Sequence, residues 1–209
     1  MKLYWNGAIN MRKYHEIYFA TSNLDKFKEA KVTLSKFKIN IKRVAVKDPE
    51  IQSTKIEEIA KASVVQAIKH IKRKVFVEDT GLFIEALNGF PGPYSSYVQL
   101  TLGNKGILKL LKGLSNREAI FKSAVAFGEP NGSIRCFVGC IKGNISTEEK
   151  GEMGFGYDPI FKPIGGGGKT FAEMTIVNKS KYSHRSRALE QFADWYIKNY
   201  KINSPTNKP

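Results

Sequence analysis

The sequence predicts an α/β fold, and three features carry this prediction. Two segments within the first 71 residues each contain a strand, a polar turn and a helix with one apolar face. Two longer β runs, at 119–127 and 134–142, flank Glu129-Pro130-Asn131-Gly132, a turn suited to a hairpin. A final helix is marked by apolar residues from Leu189 to Tyr200. The length of the hairpin suggests that it forms the second lobe of a cleft.

The composition is that of an ordinary folded protein. Of 209 residues, 42% are hydrophobic and 25% are charged, which excludes a disordered or fibrous chain. No run reaches the roughly 18 apolar residues of a membrane span, and residues 1–10 lack the apolar stretch of a signal peptide. We therefore expect a cytoplasmic protein. The length permits one domain of two lobes or two small domains. Residues 1–12 are expected to form an extension and 204–209 a frayed tail.

The net charge of +15, from 34 Lys and Arg against 19 Asp and Glu, indicates nucleic-acid binding or a preference for small polyanions. The lysines are spread along the chain, which favours a solvated surface or phosphate steering over a dedicated DNA-reading element. Cys136 and Cys140 are the only cysteines, and the three histidines are scattered, so there is no zinc spacing. Both thiols are expected to be buried.

The first strand, turn and helix form a candidate phosphate site. A β run at 14–20 ends at Thr21-Ser22-Asn23, and apolar residues then recur at helical spacing from Leu24 to Phe37. Such a turn directs backbone N–H groups and the positive end of the helix dipole towards a ligand above it. Lys26, in the first helical turn, could add its charge. A plain helix cap with a solvated lysine explains the same residues.

The second strand, turn and helix place an acid at the same level. A strand at 39–46 is broken by Lys47-Asp48-Pro49-Glu50, and a helix with one buried face follows from Ile56 to Ile71. Glu50 is therefore on a loop between a strand and a helix. A single glutamate in a loop is otherwise usually exposed to solvent.

Two carboxylates, Glu78 and Asp79, follow the next apolar strand at 75–77. The C-terminal ends of strands are where open α/β sheets bind ligands, so these acids are expected at the same edge of the sheet as the two turns above. A second short β run at 82–87 leads into Gly- and Pro-rich turns that hold a loop in one conformation. The alternative is an ordinary strand, turn and strand with solvated acids.

Two short helices are predicted at 94–103 and 107–111, and the chain becomes irregular and rich in glycine from residue 151. Gly168-Lys169-Thr170 matches the end of a phosphate loop, but residue 163 is proline where that pattern needs its first glycine, so we reject this interpretation. Phe155-Gly156-Tyr157-Asp158 offers two rings that can sandwich a planar ligand and a carboxylate for its edge. A glycine-rich turn with packed aromatic rings is the alternative.

The last helix is preceded by Lys179 and begins at Ser183-His184-Arg185. Ser183 is suited to cap this helix, and the two residues after it would project from its first turn. Cations at a helix N-terminus meet the positive end of the dipole, so an anionic or hydrogen-bonding partner is expected to compensate.

Together these segments resemble the inosine triphosphate pyrophosphatase family, whose members hydrolyse non-standard purine nucleoside triphosphates. Each matching motif is weak alone, but six in the family's order, from about residue 14 to the last helix, make the resemblance specific. The motifs are A-T-S-N-L-D-K at 20–26, P-E-I-Q at 49–52, V-E-D-T-G-L through N-G-F-P-G-P-Y-S at 77–95, G-F-G-Y-D-P-I-F at 154–161, F-A-E-M at 171–174 and S-H-R-S-R-A-L at 183–189.

The resemblance implies one mixed α/β domain over 1–209, with two lobes around a long twisted central sheet and an active-site cleft between them. It also implies a homodimer and Mg²⁺-dependent hydrolysis of ITP, dITP or XTP to the monophosphate and pyrophosphate. Glu50 and Asp79 would hold Mg²⁺, and Asp79 would accept a proton from the attacking water. Because successive strand residues point to opposite faces, we expect Asp79 rather than Glu78 in that role.

The same resemblance implies the nucleotide contacts. The triphosphate would be bound by Thr21, Ser22, Asn23 and Lys26, and Thr80 would also contact the substrate. The purine would be recognised by Phe155, Gly156, Tyr157, Asp158, Lys179, His184 and Arg185.

The chain departs from the family's pattern at a few positions. Ala62 stands where many relatives have a substrate-contacting lysine, and Ser95-Ser96 where a basic residue is frequent. Asn178 replaces a usual glutamate, and Ser22 stands where glycine is frequent. These differences concern secondary phosphate contacts more than the metal or the base site.

Two other functions remain open. The related Maf-type pyrophosphatases act on modified pyrimidine nucleotides, although the S-H-R and F-G-Y-D motifs argue against this group. Charge alone predicts a basic nucleic-acid-binding module, but that function does not explain acids beside a phosphate site. We therefore expect nucleoside triphosphates as substrates and no stable nucleic-acid partner.

Overall fold

The computed structural model describes residues 16–46, 49 and 51–200. The described part of the chain contains a seven-stranded sheet and six α-helices. In chain order the elements are β1 (Glu16–Ala20), α1 (Leu24–Ser35), β2 (Asn40–Val44), α2 (Ile56–Ile71), β3 (Val75–Ile84), β4 (Pro91–Gly92), α3 (Ser95–Thr101), α4 (Gly103–Leu110), β5 (Glu118–Gly128), β6 (Ile134–Ile145), β7 (Phe161–Pro163), α5 (Ile176–Ser180) and α6 (His184–Tyr200).

The sheet is mixed and has the order β2-β1-β3-β5-β6-β7, with the short β4 paired to β3. Strand β1 runs parallel to β2 and β3, whereas the remaining pairs are antiparallel. The α-helices that follow β1 and β2 provide the crossover connections that parallel strands require. The predicted mixed α/β fold with a central sheet is confirmed. The predicted long hairpin is also confirmed, since β5 and β6 pair along almost their whole lengths.

Strand β3 differs from its prediction. Two short β runs separated near Glu78 and Asp79 were expected, but β3 is one strand of ten residues followed by a 3-10 turn at Glu85–Leu87. It pairs with β5 along its whole length, from Val75 opposite Gly128 to Ile84 opposite Ala119. This pairing gives the backbone of β3 hydrogen-bond partners through Glu78 and Asp79. The sequence of β3 alone does not reveal that β5 is its partner.

Although β3 continues, the two acids lie where the parallel part of the sheet ends. Phe19 of β1 pairs with Phe76 of β3, and β1 stops one residue later at Ala20. The backbone of β3 beyond that level has β5 on one side and no β1 on the other. Glu78 and Asp79 therefore border an opening at the carboxyl end of β1.

Helices cover both faces of the sheet. On one face, α2 packs on Val75, Val77, Ala124 and Ala126 of β3 and β5. On the other face, α1 and α6 bury an aromatic core in which Phe19 stacks on Phe76 at 4.4 Å between ring centroids. A third core lies beyond it and includes Leu82, Val98, Phe121, Phe161 and Phe171. Each fully buried Phe or Leu contributes about 1.5–3 kcal/mol to folding.

Side-chain caps fix the start of two helices. The Asn23 side chain accepts hydrogen bonds from the backbone N–H groups of Asp25 (2.8 Å) and Lys26 (3.0 Å). Ser183 Oγ accepts from the backbone N–H of Arg185 at 3.2 Å, which confirms the predicted cap of α6. Such caps contribute about 1 kcal/mol each, and here they also set the direction in which each helix enters the cleft.

Several smaller predictions need correction. The second strand is shorter than expected, at Asn40–Val44, and the irregular region after 151 contains β7, α5 and a 3-10 turn at Phe171–Glu173. Cys136 is half-buried but Cys140 is exposed, so the prediction of two buried thiols was wrong. Cys140 lies four residues further along β6, where the side chain is no longer covered.

The predicted extension at 1–12, the tail at 204–209 and Glu50 lie outside the described residues. Among the described helices, none has the length and apolar character needed to cross a membrane.

Candidate active site

A cleft of about 490 Å³ opens at the carboxyl end of β1. Its walls come from the turn before α1, the middle of β3, α2, α3, the loop at 155–158, the last turn of α5 and the start of α6. All predicted site residues that the structure describes line this cleft: Thr21, Ser22, Asn23, Lys26, Asp79, Thr80, Phe155, Gly156, Tyr157, Asp158, Lys179, His184 and Arg185. Residues from four of the six motifs, together with Lys179, therefore meet in one place, and the placement of Glu50 is not described.

The turn before α1 is ordered by its own side chains. Thr21 N–H donates to the carbonyl of Val44 at 2.9 Å, and Asn23 N–H donates to Thr21 Oγ1 at 3.1 Å. Asn23 in turn caps α1, so the capping interpretation of this motif is correct for Asn23. The positive end of the α1 dipole still points into the cleft beside Ser22.

Lys26 is not a solvated lysine. Its Nζ lies 3.0 Å from Glu78 Oε2 and also donates to the backbone carbonyl of Glu78 at 3.2 Å. Only 20% of its side chain is exposed. The first turn of α1 is therefore tied to the middle of β3.

Glu78 is the centre of a buried network of charges. Its carboxylate has no exposed surface, and Oε1 accepts hydrogen bonds from Thr80 and Ser123 and lies 3.1 Å from Arg185 Nε. Burial alone would raise the pKa of Glu78, but the charges of Arg185 and Lys26 and the two hydroxyl donors outweigh it and hold that pKa far below its usual range. Glu78 is therefore ionised at any working pH.

The network continues through Glu29 on α1. Lys179 Nζ lies 2.7 Å from Glu29 Oε1, and Arg185 Nη1 donates to Glu29 Oε2. Burial raises the pKa of Glu29, yet Arg185 and Lys179 together lower it below its ordinary value. Lys179 also pairs with Asp158, whose pKa burial raises despite that neighbour.

His184 is buried in a different way. Its ring stacks on Phe121 at 4.4 Å and an interplanar angle of 9°, and only 2% of the residue is exposed. Neither Nδ1 nor Nε2 has a hydrogen-bond partner among the described residues. Burial, and then the charge of Arg185, lower the pKa of His184 well below its usual value. A neutral imidazole with one free donor and one free acceptor therefore faces the cleft.

The two aromatic rings of the Phe155-Gly156-Tyr157-Asp158 motif do not form a sandwich. Tyr157 is 4% exposed, packs in the third core and donates its hydroxyl to the carbonyl of Ser95 at 2.9 Å. Phe155 is half-buried, with its ring centroid 5.0 Å from Lys179 Nζ and 5.4 Å from Arg185 Cζ. Phe155 alone of this pair offers a ring face beside the cations.

Helices α3 and α4 support the same loop. Gln99 and Asn104 both donate side-chain N–H groups to the carbonyl of Gly156, at 3.4 and 3.1 Å. Ser95 joins this support to β3, since its hydroxyl accepts from the Leu82 N–H at 2.8 Å. The loop is thus held at Gly156 by hydrogen bonds from α3 and α4.

Sequence reasoning missed Glu29, Phe121 and Ser123 as parts of this site. One signal for Glu29 was available, because it lies three residues after Lys26 and shares a helix face with it. A charged residue beside the buried Ala30 and Leu34 also needs a partner. Phe121 and Ser123 had no local signal, because β5 looks like an ordinary buried strand until its pairing with β3 is known.

Asp79 lies on the opposite face of β3 from Glu78. It is half-buried, and on that face the cleft is lined by small residues of α2, Ala60, Ser63 and Ala67. The predicted separation of the two acids is thus present in the structure. Both oxygens of Glu78 contact cations or hydroxyl groups.

The donor set of the cleft fits Mg²⁺ bound together with a phosphate ligand. No cluster of three or more His, Cys, Asp or Glu side chains that could hold a metal occurs within 16–46, 49 and 51–200. Mg²⁺ commonly uses only one or two carboxylates and completes its shell with water and substrate phosphates. Asp79 can supply one carboxylate of such a site.

The chain was compared with known proteins. Residues 17–195 match the sequence profile of the Ham1 family. The dITP/XTP pyrophosphatase of Methanopyrus kandleri is 52% identical over 184 residues, which cover 88% of this chain and 97% of that protein. The dITP/XTP pyrophosphatase of Thermococcus kodakarensis is 45% identical over 183 residues, which cover 88% and 98%.

Solved structures give the same assignment. A HAM1 protein from Coxiella burnetii superposes with a TM-score of 0.76 at 30% identity, covering 88% of this chain and 98% of that one. The Staphylococcus aureus Ham1 protein superposes with a TM-score of 0.74 at 28% identity, covering 88% and 99%. Fold, profile and sequence identity over nearly the whole of each relative agree, and this chain belongs to the Ham1 family.

Proposed function

We propose that this protein is a nucleoside triphosphate pyrophosphatase that hydrolyses ITP, dITP and XTP to the monophosphate and pyrophosphate. The observation that carries the proposal is the neutral His184, buried at the cleft wall with both ring nitrogens unpartnered and Arg185 beside it. Relatives over nearly the full length are named dITP/XTP pyrophosphatases. The roles below extend that activity to particular residues.

Base selection would depend on hydrogen-bond donors. A 6-oxo purine presents an acceptor where adenine presents an amino group, and His184, Arg185 and Lys179 can donate to it. An amino group in the same place would leave buried donors unpaired, and such mismatches can reduce catalytic efficiency by orders of magnitude. The ring face of Phe155 would stack on the purine.

The charge of the site supports a divalent cation. The buried network contains Lys26, Lys179 and Arg185 against Glu29, Glu78 and Asp158, so its charges cancel, and Asp79 adds one negative charge. These residues give a triphosphate no net positive charge. When bound, Mg²⁺ supplies the charge that offsets the phosphates and orients them.

The chain's own residues would divide the remaining work. Asp79, with Glu50, would hold the metal, and Asp79 would position the attacking water and accept its proton. The N-terminal turn from Thr21 to Asn23 and Lys26 would grip the triphosphate. Attack at the α-phosphorus releases pyrophosphate as a unit, so the β- and γ-phosphates must be held away from the water.

A homodimer is part of this proposal. Tyr94, at the N-cap of α3, and Tyr97 and Leu100 on α3 are exposed at three-residue spacing, with 45%, 69% and 84% of each residue accessible. Groups of exposed apolar side chains on one element are typical of protein interfaces. We refer to these residues as the α3 face. A second copy of the chain would cover it.

One assay tests the proposed reaction. The purified protein is incubated with ITP, XTP, dITP, ATP or GTP and Mg²⁺, and the phosphorus products are identified. We expect pyrophosphate and the monophosphate, with ITP, dITP and XTP strongly preferred. Release of orthophosphate, or equal rates on ATP and ITP, would contradict the proposal. Steeply salt-dependent duplex binding without turnover would instead support the nucleic-acid-binding alternative.

A further inference from the structure

Glu78 touches both halves of the proposed site, although nothing in the proposed reaction requires it. We propose that Glu78 is a positioning residue that locks Lys26 of the triphosphate turn and Arg185 of the base pocket into one fixed arrangement. This inference rests on the proposed function for the meaning of the two halves. Its basis is a set of contacts on a single buried carboxylate.

The first contact restricts Lys26. Its ammonium group donates a hydrogen bond to the backbone carbonyl of Glu78 at 3.2 Å and forms an ion pair with Glu78 Oε2 at 3.0 Å. The position of the ammonium group beside the cleft is therefore set by Glu78, not by the flexible lysine chain.

The second contact restricts Arg185 in a similar way. Glu78 Oε1 lies 3.1 Å from its Nε, Glu29 accepts from Nη1, and Thr80 Oγ1 accepts from Nη2 at 3.2 Å. Each of its three nitrogens thus has a protein neighbour. These neighbours fix the plane of the guanidinium group, and with it the directions of the N–H donors left on its two terminal nitrogens.

Glu78 is itself held in place. Thr80 and Ser123 both donate to Oε1, and its side chain has no exposed surface. Thr80 also accepts from Arg185, so the contacts close into a ring. A carboxylate bound this way cannot move towards a water molecule, and its function is to hold its neighbours.

The consequence is a physical link between base recognition and phosphate binding. A purine that binds to Arg185 contacts a residue held by Glu78, the same carboxylate that orients Lys26. Removing the charge of Glu78 would leave Lys26 with only the backbone carbonyl of Glu78 and Arg185 with only Glu29 and Thr80. Discrimination between bases should then fall together with productive binding of the triphosphate.

The test uses Glu78→Gln in the full chain, with Glu58→Gln as the matched control. Glu58 pairs with Lys55 at the surface, 3.4 Å away, so the same substitution there removes a charge outside the cleft. For each protein, kcat and KM are measured on ITP and ATP, and binding of both nucleotides is measured calorimetrically without divalent metal. Thermal unfolding reports whether the fold is intact.

We expect a folded Glu78→Gln protein to lose at least about tenfold in its ITP-over-ATP preference, in kcat/KM and in binding. KM for ITP should rise, whereas the control should match the wild type. If Glu78→Gln does not fold, Glu78→Asp decides, because it keeps the charge but withdraws the carboxylate by one methylene. An intermediate loss of preference in Glu78→Asp supports the proposal.

Two results would overturn the inference. One is a folded Glu78→Gln or Glu78→Asp protein with wild-type preference and KM. The other is an equal loss on ITP and ATP, which a general structural defect would produce. If the wild-type protein does not hydrolyse ITP, the proposed function fails instead, and the binding preference alone then tests the role of Glu78.

Discussion

At the scale of single residues, adjacent side chains in this site have opposite environments. Glu78 is fully buried among cations and hydroxyl groups, whereas Asp79 is half-buried against small residues of α2. The period of two in a strand places them on different faces. That simple geometry gives two adjacent acids different surroundings in the same cleft.

The first residue-scale prediction concerns Asp79. Asp79→Asn keeps the size of the side chain but removes the charge that would hold the metal and accept a proton. We expect kcat on ITP to fall by about 10²–10⁴-fold with little change in the unfolding temperature. Steady-state kinetics and calorimetry on the same preparation give both values. A variant with substantial activity would remove Asp79 from the role of base.

The second residue-scale prediction concerns pH and His184. Its folded-state pKa is lowered by burial and by Arg185, so the unfolded chain binds more protons below the ordinary value of 6.5. The stability contributed by neutral His184 is complete above that pH and is lost as pH falls towards the folded pKa. The expected slope is up to about 1.4 kcal/mol per pH unit.

Urea unfolding between pH 8 and 5 measures this slope. His184→Gln cannot titrate, so its stability should fall less than that of the wild type below pH 6.5. The buried acid Glu29 has a lowered pKa, so its contribution is lost only at more acidic pH, below its ordinary value of 4.5. Parallel curves for the two proteins would contradict the assignment.

At the scale of elements, the site depends on how α6 sits on β6. Gly139 of β6 lies directly under the first turns of α6, where an added Cβ would be 2.2 Å from the carbonyl oxygen of His184 and 2.4 Å from the N of Ala188. Only a residue without a side chain permits this approach. The helix start that carries His184 and Arg185 is thus positioned by a glycine on a strand.

This contact predicts the effect of Gly139→Ala. The methyl group meets backbone atoms that cannot rotate away, so we expect a loss of about 1–3 kcal/mol in unfolding free energy. ITP hydrolysis should fall as well, because the first turn of α6 shifts. Gly113→Ala is the control: its φ of +82° is strained for alanine, but no atom lies within 4 Å of the new Cβ. It should cost about 1–2 kcal/mol and leave turnover unchanged.

At the scale of the whole molecule, the cleft opens where the parallel and antiparallel parts of the sheet separate. The long antiparallel strands β3, β5 and β6 extend past β1, and the loops and helices that return to this opening bring distant segments together. The exposed α3 face lies on an element that also supports Gly156 through Gln99. A partner that covers α3 would therefore also steady the loop.

A change to the α3 face tests the proposed dimer. We expect the wild-type protein to have twice the monomer mass by light scattering. Tyr97→Glu places a charge in the covered surface and should weaken the dimer by at least about tenfold. Ile164→Glu, at another exposed apolar residue, is the control and should not change the mass. A monomeric wild-type protein would contradict the dimer.

The sequence alone determined the order and type of most elements. The site residues that it predicts, where the structure describes them, line the cleft. Local chemistry was sufficient for this: Asn23 and Ser183 cap helices as their side chains predict. Periodicity predicted α2 from Ile56 to Ile71, residue for residue. The alternation of side chains along a strand also separates Asp79 from Glu78.

Tertiary structure decided what depends on partners distant in the chain. Pairing with β5 made β3 continuous, packing in the third core removed Tyr157 from the expected ring sandwich, and α1 brought Glu29 to Lys179 and Arg185. The physical reason is the same in each case. Burial and charge pairing are properties of groups brought together by folding, and no local pattern contains the neighbour that completes them.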